Sequence, residues 1–220
     1  IWEVDFKSKI DDLAEREKSV CADNPSYIMF TSGSTGFPKG AVMTHQNLLN
    51  FIHWAKNEYE ITPEDRLTNV NPMYFDNSLL DFYGSLFNGA TMIPFDIETT
   101  KSPQETVQKV DESNATFWFS VPSFLVFLLT TKSLSKGNFR NVRIITFGGE
   151  GFPKPKLKLL FDLYSERARM VNVYGPTECT CICSAYDINH QDFEDMISLA
   201  PLGKIAPNFD YVILNKNEKG

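Results

Sequence analysis

Apolar and polar positions follow two rhythms along this chain. Short β-rich runs at 27–31 and 41–43 flank a polar, glycine-rich stretch, which predicts two strands joined by that loop. Thr44 stands at the N-cap of a predicted helix whose apolar positions Leu48, Leu49, Ile52, Ala55 and Tyr59 recur at helical spacing. Strand and helix then take turns: strand 67–70, helix 79–87 stopped by Gly89, strand 90–93. Ser102, Pro103 and Glu105 form a capping-box pattern with proline at the first helical position, so another helix is predicted there. Strand 116–120, a helix from Pro122, strand 142–147, helix 156–164 and strand 170–174 complete the run. Strands separated by helices predict an α/β fold of mainly parallel sheets flanked by helices. After Glu178 the rhythm changes, because 180–186 and 211–214 are β-like with no comparable helix between them. The expected organisation is 1–65 and 66–178 as two α/β parts and 179–220 as the start of a β-rich one. Ahead of the first strand the chain is polar, with Ile10 and Leu13 as anchors of a short amphipathic lead-in helix.

Composition adds bounds to this picture. Over 220 residues, 42% hydrophobic and 22% charged, the chain matches an ordinary globular protein, and its 18 Phe, eight Tyr and three Trp supply a substantial core. With 21 basic against 28 acidic residues the net charge is -7, which disfavours broad attraction to nucleic acid or anionic lipid. The apolar run at 124–129 is far shorter than the roughly 20 residues a membrane span needs, so neither partner class is expected. Four cysteines without disulfide-framework spacing fit a reduced, cytoplasmic setting.

In a parallel sheet, ligands bind beyond the carboxyl ends of the strands, and four segments there carry chemistry. They are TSGSTGFPKG at 31–40, YFDNS at 74–78, FGGEG at 147–151 and NVYGPTE at 172–178. The first offers glycines at 33, 36 and 40, hydroxyls at Thr31, Ser32, Ser34 and Thr35, and a cation at Lys39, a set able to wrap a polyphosphate. It is not a Walker A loop, which needs Gly-Lys-Ser/Thr where this chain has proline ahead of Lys39.

The segments 31–40 and 172–178 resemble, in order and separation, the two signature motifs of the adenylate-forming superfamily: acyl-CoA synthetases, luciferases and nonribosomal peptide synthetase adenylation domains. The resemblance implies that Thr31, Ser32, Gly33, Ser34, Thr35, Gly36 and Lys39 hold the β- and γ-phosphates of ATP while a carboxylate attacks the α-phosphorus and pyrophosphate leaves. It implies that Asn172, Val173, Tyr174, Gly175 and Pro176 line the nucleotide site, Tyr174 against adenine. Thr177 would bond the α-phosphate and Glu178 would bind Mg2+, a hard cation that prefers carboxylate and phosphate oxygens. Gly149 and Glu150 match the segment lining the adenine slot. The chain is expected to be part of the large N-terminal domain of such an enzyme, without its opening portion or its C-terminal lid, and weakly active or inactive alone.

Substrate class turns on Asp76. In amino-acid-activating members an aspartate in a Phe-Asp-x-Ser motif pairs with the α-ammonium group, and FDNS at 75–78 fits. A charge-assisted hydrogen bond worth about 1.5–3 kcal/mol suits a buried carboxylate; the other reading of Asp76 is an N-cap for the helix near Leu79. The surroundings resemble the D-alanyl carrier protein ligase branch most, although Gly148 and Cys181, expected beside the substrate, stand where that branch has cysteine and valine. The expected product is an acyl-adenylate for transfer to a phosphopantetheinyl carrier protein or coenzyme A. Alternatives are an acyl-CoA synthetase for a small organic acid and a non-catalytic nucleotide-binding scaffold. Cys179, Cys181 and Cys183 alternate, which predicts one strand face shared by all three.

Overall fold

The computed structural model describes Leu13 and residues 17–31 and 36–213. The lead-in helix around Ile10 lies largely outside them. A two-stranded antiparallel ribbon, β1 (Pro25–Thr31) and β2 (Lys39–Thr44), pairs Thr31 with Lys39 at its loop end. Helix α1 (His45–Tyr59) follows at once, fixed at its start by a reciprocal cap. The Asn47 amide donates to Thr44 Oγ1 at 3.2 Å and the Thr44 amide to Asn47 Oδ1 at 3.0 Å, satisfying donors that the first turn leaves open. Leu49 points to solvent, while Phe51 and Trp54 join the buried face.

The main sheet has seven strands in the order β4-β3-β5-β6-β7-β8-β9. The five strands β4 (Thr91–Pro94), β3 (Arg66–Asn69), β5 (Phe117–Ser120), β6 (Ile144–Gly148) and β7 (Arg169–Tyr174) are parallel. β8 (Ser184–Asp187) and β9 (Lys204–Ile205) run antiparallel at one edge. Residues on adjacent positions of the buried strands go to opposite faces, as a period of two requires. Phe117, Phe119, Ile144 and Val171 face a core closed by α1 and α2 (Ser78–Leu86). Trp118, Ile145 and Met170 face a second core closed by α4 (Pro103–Glu112), α5 (Pro122–Thr130) and α6 (Lys154–Tyr164). The mixed α/β fold expected from the rhythm is therefore present, with helices on both faces of a mostly parallel sheet.

Three local expectations need correction. Ser102 occupies the N-cap position before Pro103, but its side chain makes no capping bond, because the same residue also ends the short helix α3 (Ile97–Lys101). It is α3 that carries a side-chain cap: Asp96 accepts from the Thr99 amide at 2.8 Å. Residues 180–183 are not strand: a 3-10 turn (Thr177–Cys179) is followed by Thr180 and Cys181 with φ of 58° and 74°, so the three cysteines share no strand face. Residues 211–213 form no strand, and Val212 and Ile213 are exposed. The change of rhythm past Glu178 is a reversal of strand direction within the main sheet, and α1 lies on a face of that same sheet.

Candidate active site

The carboxyl ends of β3, β5, β6 and β7 open on one cavity of about 850 Å³, lined among others by Asn71, Phe75, Asp76, Ser120, Gly149 and Thr177. The size suits a small-molecule site. Each wall comes from the segment following a parallel strand, which is where the topology leaves backbone groups and loop side chains unpaired with the sheet.

Asp76 enters from the loop between β3 and α2. The N-cap position of α2 is Asn77, with no side-chain capping bond, and Asp76 contributes its backbone carbonyl to the Leu79 amide at 2.9 Å. Its carboxylate therefore does not cap the helix, and Asp76 Oδ2 is buried without a hydrogen-bond partner among the described residues. Burial pushes the Asp76 carboxyl above the usual range; Thr177 and the backbone amides of Asp76 and Asn77 pull against that, and the Glu178 charge adds to the rise. The Glu178 charge thus reaches the Asp76 carboxyl from the neighbouring turn. A cation beside Asp76 would favour its charged form.

The turn carrying Thr177 and Glu178 is held tightly. A Cβ on Gly175 would lie 2.2 Å from the Cys181 carbonyl oxygen, so only glycine permits the chain to fold back there. Gly175, Pro176 and Thr177 line the cavity, while Tyr174 and Glu178, flanking them in the chain, are exposed. The ribbon comes up against this turn: Thr180 Oγ1 donates to Met43 Sδ at 3.1 Å. At the ribbon's loop end, Thr31 Oγ1 donates to the Lys39 carbonyl at 3.5 Å, Gly36 adopts φ of 85°, and Lys39 is exposed. Ser32, Gly33, Ser34 and Thr35 lie outside the described residues.

Other expected site residues occupy supporting positions. Asn172 is buried and donates its amide to the Pro201 carbonyl at 2.8 Å, and Val173 packs in the core beside α1 and α2. Gly148 is buried at the end of β6, where a Cβ would meet the Val173 carbonyl oxygen at 2.4 Å; neighbouring Gly149, with φ of 93°, is the one that lines the cavity. Glu150 accepts from the Ser123 amide at 2.7 Å, placing a negative charge at the N-terminus of α5. Cys181 is buried in the core beside α1 and α2, its thiol pushed well up by burial first and then by the charges of Asp76 and Asp81.

Two features of the site were not read from the sequence. One is the aromatic wall of Phe75, Phe124 and Phe127. The other is the fully buried Asp81, which accepts at Oδ2 from the side-chain amides of Asn71 at 3.0 Å and Asn69 at 3.2 Å. An acidic residue set among the buried positions of the otherwise apolar α2 was the available signal.

Comparisons with known proteins bear on the fold and the family. The chain is 35% identical over 184 residues to an L-proline--[L-prolyl-carrier protein] ligase of Pseudomonas fluorescens, covering 84% of this chain and 36% of the relative. It is 31% identical over 211 residues to a D-alanine--D-alanyl carrier protein ligase of Listeria monocytogenes, covering 96% of this chain and 41% of that protein. The chain thus spans about two fifths of the length of these curated relatives. Among solved structures, the Vibrio cholerae adenylation domain AlmE in complex with glycyl-adenosine-5'-phosphate superposes with a TM-score of 0.75 at 25% identity, over 84% of this chain and 34% of that one. The family model of the AMP-binding enzyme matches residues 2–220, and the chain belongs to that family.

Proposed function

We propose that the protein carrying this chain activates an amino acid with ATP, forming an aminoacyl-adenylate and releasing pyrophosphate, and then passes the aminoacyl group to a carrier thiol. The observation that carries this reading is the unpartnered, buried oxygen of Asp76 in a cavity that also presents Thr177. A carboxylate oxygen buried without a partner is costly, and an α-ammonium group supplies the charge-assisted hydrogen bond that Oδ2 lacks. Two relatives named as ligases for prolyl and D-alanyl carrier proteins, and a neighbour holding a glycyl adenosine phosphate, support an amino acid as substrate and a carrier protein as acceptor.

The chain's own residues divide the work. Asp76 orients the amino acid by its ammonium group so that its carboxylate lies toward Thr177. Thr177 offers a hydroxyl donor to the α-phosphate, and Gly149 lets the nucleotide base lie against the backbone, free of a side chain. Glu178, exposed and with no ion pair among the described residues, fits a divalent cation such as Mg2+. That ion, when bound, neutralises phosphate charge that this acidic chain cannot. The 31–40 loop, with Lys39 at its end, would hold the departing phosphates. A reduced, cytoplasmic setting is part of the same reading.

The test is amino-acid-dependent exchange of pyrophosphate into ATP by the full-length protein over a panel of carboxylates. We expect exchange with an amino acid and its loss on Asp76→Ala. An enzyme for a small organic acid would keep its exchange in that variant, and a non-catalytic scaffold would show none with any carboxylate. Because the Asp76 carboxyl is raised, its protonation should weaken amino-acid binding on the acid side at a pH above about 3.9, the ordinary aspartate value. A KM for the amino acid that stays flat down to pH 4 would count against the ammonium contact.

A further inference from the structure

Asn71 stands on the same β3–α2 loop as Asp76 and lines the same cavity. It is 7% exposed, and both of its amide hydrogens are spent inside the protein. One goes to Asp81 Oδ2 at 3.0 Å and the other to the Phe119 carbonyl of β5 at 3.0 Å. These two bonds pin the plane of the amide between α2 and the end of β5. Its oxygen has no partner among the described residues, so a nearly buried acceptor is left to whatever fills the cavity. Asp81, with no exposed surface, does nothing else at Oδ2 than receive Asn71 and Asn69. Such a carboxyl is expensive to bury, and what it does in return is orient the two amides and hold the Asn71 backbone.

Resting on the amino-acid reading above, we propose that Asn71 is a specificity-determining residue, accepting a hydrogen bond from a hydroxyl, amide or amino donor on the substrate's side chain, with Asp81 as its positioning residue. Asp76 and Asn71 then read the two ends of one molecule: the ammonium group and the side chain. The cavity of about 850 Å³ has room for a substrate long enough to reach both. A site built around a buried acceptor rejects an analogue without the donor, because the acceptor would be left unpaired.

Pyrophosphate exchange with the full-length protein tests this over amino acids in matched pairs, aliphatic against donor-bearing. The preferred amino acid should bear a side-chain donor. Asn71→Leu should raise its KM by about 10- to 100-fold while the KM values for ATP and for the aliphatic partner stay in place. If Asn71→Leu yields no folded protein, Asn71→Ser, which withdraws the acceptor from the cavity, reads the same rise. Asp81→Leu should raise the same KM, and Asp81→Asn, which keeps an acceptor for Asn71, should rescue it. An aliphatic preference, an unmoved KM in both Asn71 variants, or a parallel rise in the KM for ATP would overturn the proposal. Wild-type protein that exchanges pyrophosphate with no amino acid would sink the underlying reading instead, and this inference with it.

Discussion

At the scale of single residues, the site is shaped by what burial does to polar groups. Asp81 and Asp76 are both carboxyls raised by burial, yet only Asp76 opens on the cavity and Asp81 is closed off behind Asn71. The sign for Asp81 follows from linkage: its folded pKa lies above the unfolded value of about 3.9, so the native state binds more protons and stability falls as pH rises from there through the folded pKa. Asp81→Asn removes that titration. Denaturant unfolding of this variant should show a flatter pH profile above pH 4 and greater stability at pH 7 than the parent; a profile unchanged from the parent would mean the buried carboxyl is not held neutral. Gly175 is a sharper case, since an added Cβ has backbone on every near side. Gly175→Ala should cost about 1–3 kcal/mol in thermal or denaturant unfolding and displace the Thr177–Glu178 turn.

At the scale of elements, sequence and structure agree best where a helix is fixed by its own neighbours. Thr44 and Asn47 cap α1 reciprocally, and both residues lie within one turn of sequence. Ser102 had the same kind of signature and lost its capping role because a second short helix ends on it. The two positions therefore make a matched pair. Thr44→Ala should cost about 1 kcal/mol, whereas Ser102→Ala should leave stability within about 0.5 kcal/mol, compared by equilibrium unfolding under one set of conditions. Equal losses at the two sites would contradict the hydrogen-bond difference. The strand pattern at 180–186 was similarly overruled, because the tight return past Gly175 leaves pairing to β7 only from Ser184 onward.

At the scale of the whole molecule, the far end of the sheet from the cavity is tied together by charge. Arg143 donates to Asp65 Oδ2 at 2.7 Å and to the carbonyls of Tyr59 and Glu60, joining the end of α1 to the sheet. Burial tends to raise the Asp65 carboxyl, but the bonds from Arg143, Thr116 and Thr62 outweigh it and hold the group below its ordinary value. This contribution is complete above the unfolded pKa of about 3.9 and is lost as pH falls through the depressed folded value. Arg143→Met should destabilise by about 1–3 kcal/mol at pH 7, because the buried Asp65 carboxylate keeps its bonds from Thr116 and Thr62 but loses its counter-charge, and should weaken the acid dependence that the parent shows below pH 4. Most of the architecture was legible beforehand, because period-two and period-3.6 patterns are local and their alternation dictates a mostly parallel sheet with loops at one end. The same locality made 31–40, 74–78 and 172–178 readable as site segments, since glycine, hydroxyl and carboxylate residues cluster there within a few positions. Local pattern alone was enough for most of the strands and helices of the main sheet and for their order. Long-range packing, in contrast, put Asp76 on the cavity rather than on a helix end, placed Asn172 and Gly148 in the buried sheet, and brought Asn71 to Asp81. Those outcomes depend on which strands and helices meet across tens of residues, and a side chain's burial and partners are properties of that meeting rather than of its neighbours in sequence.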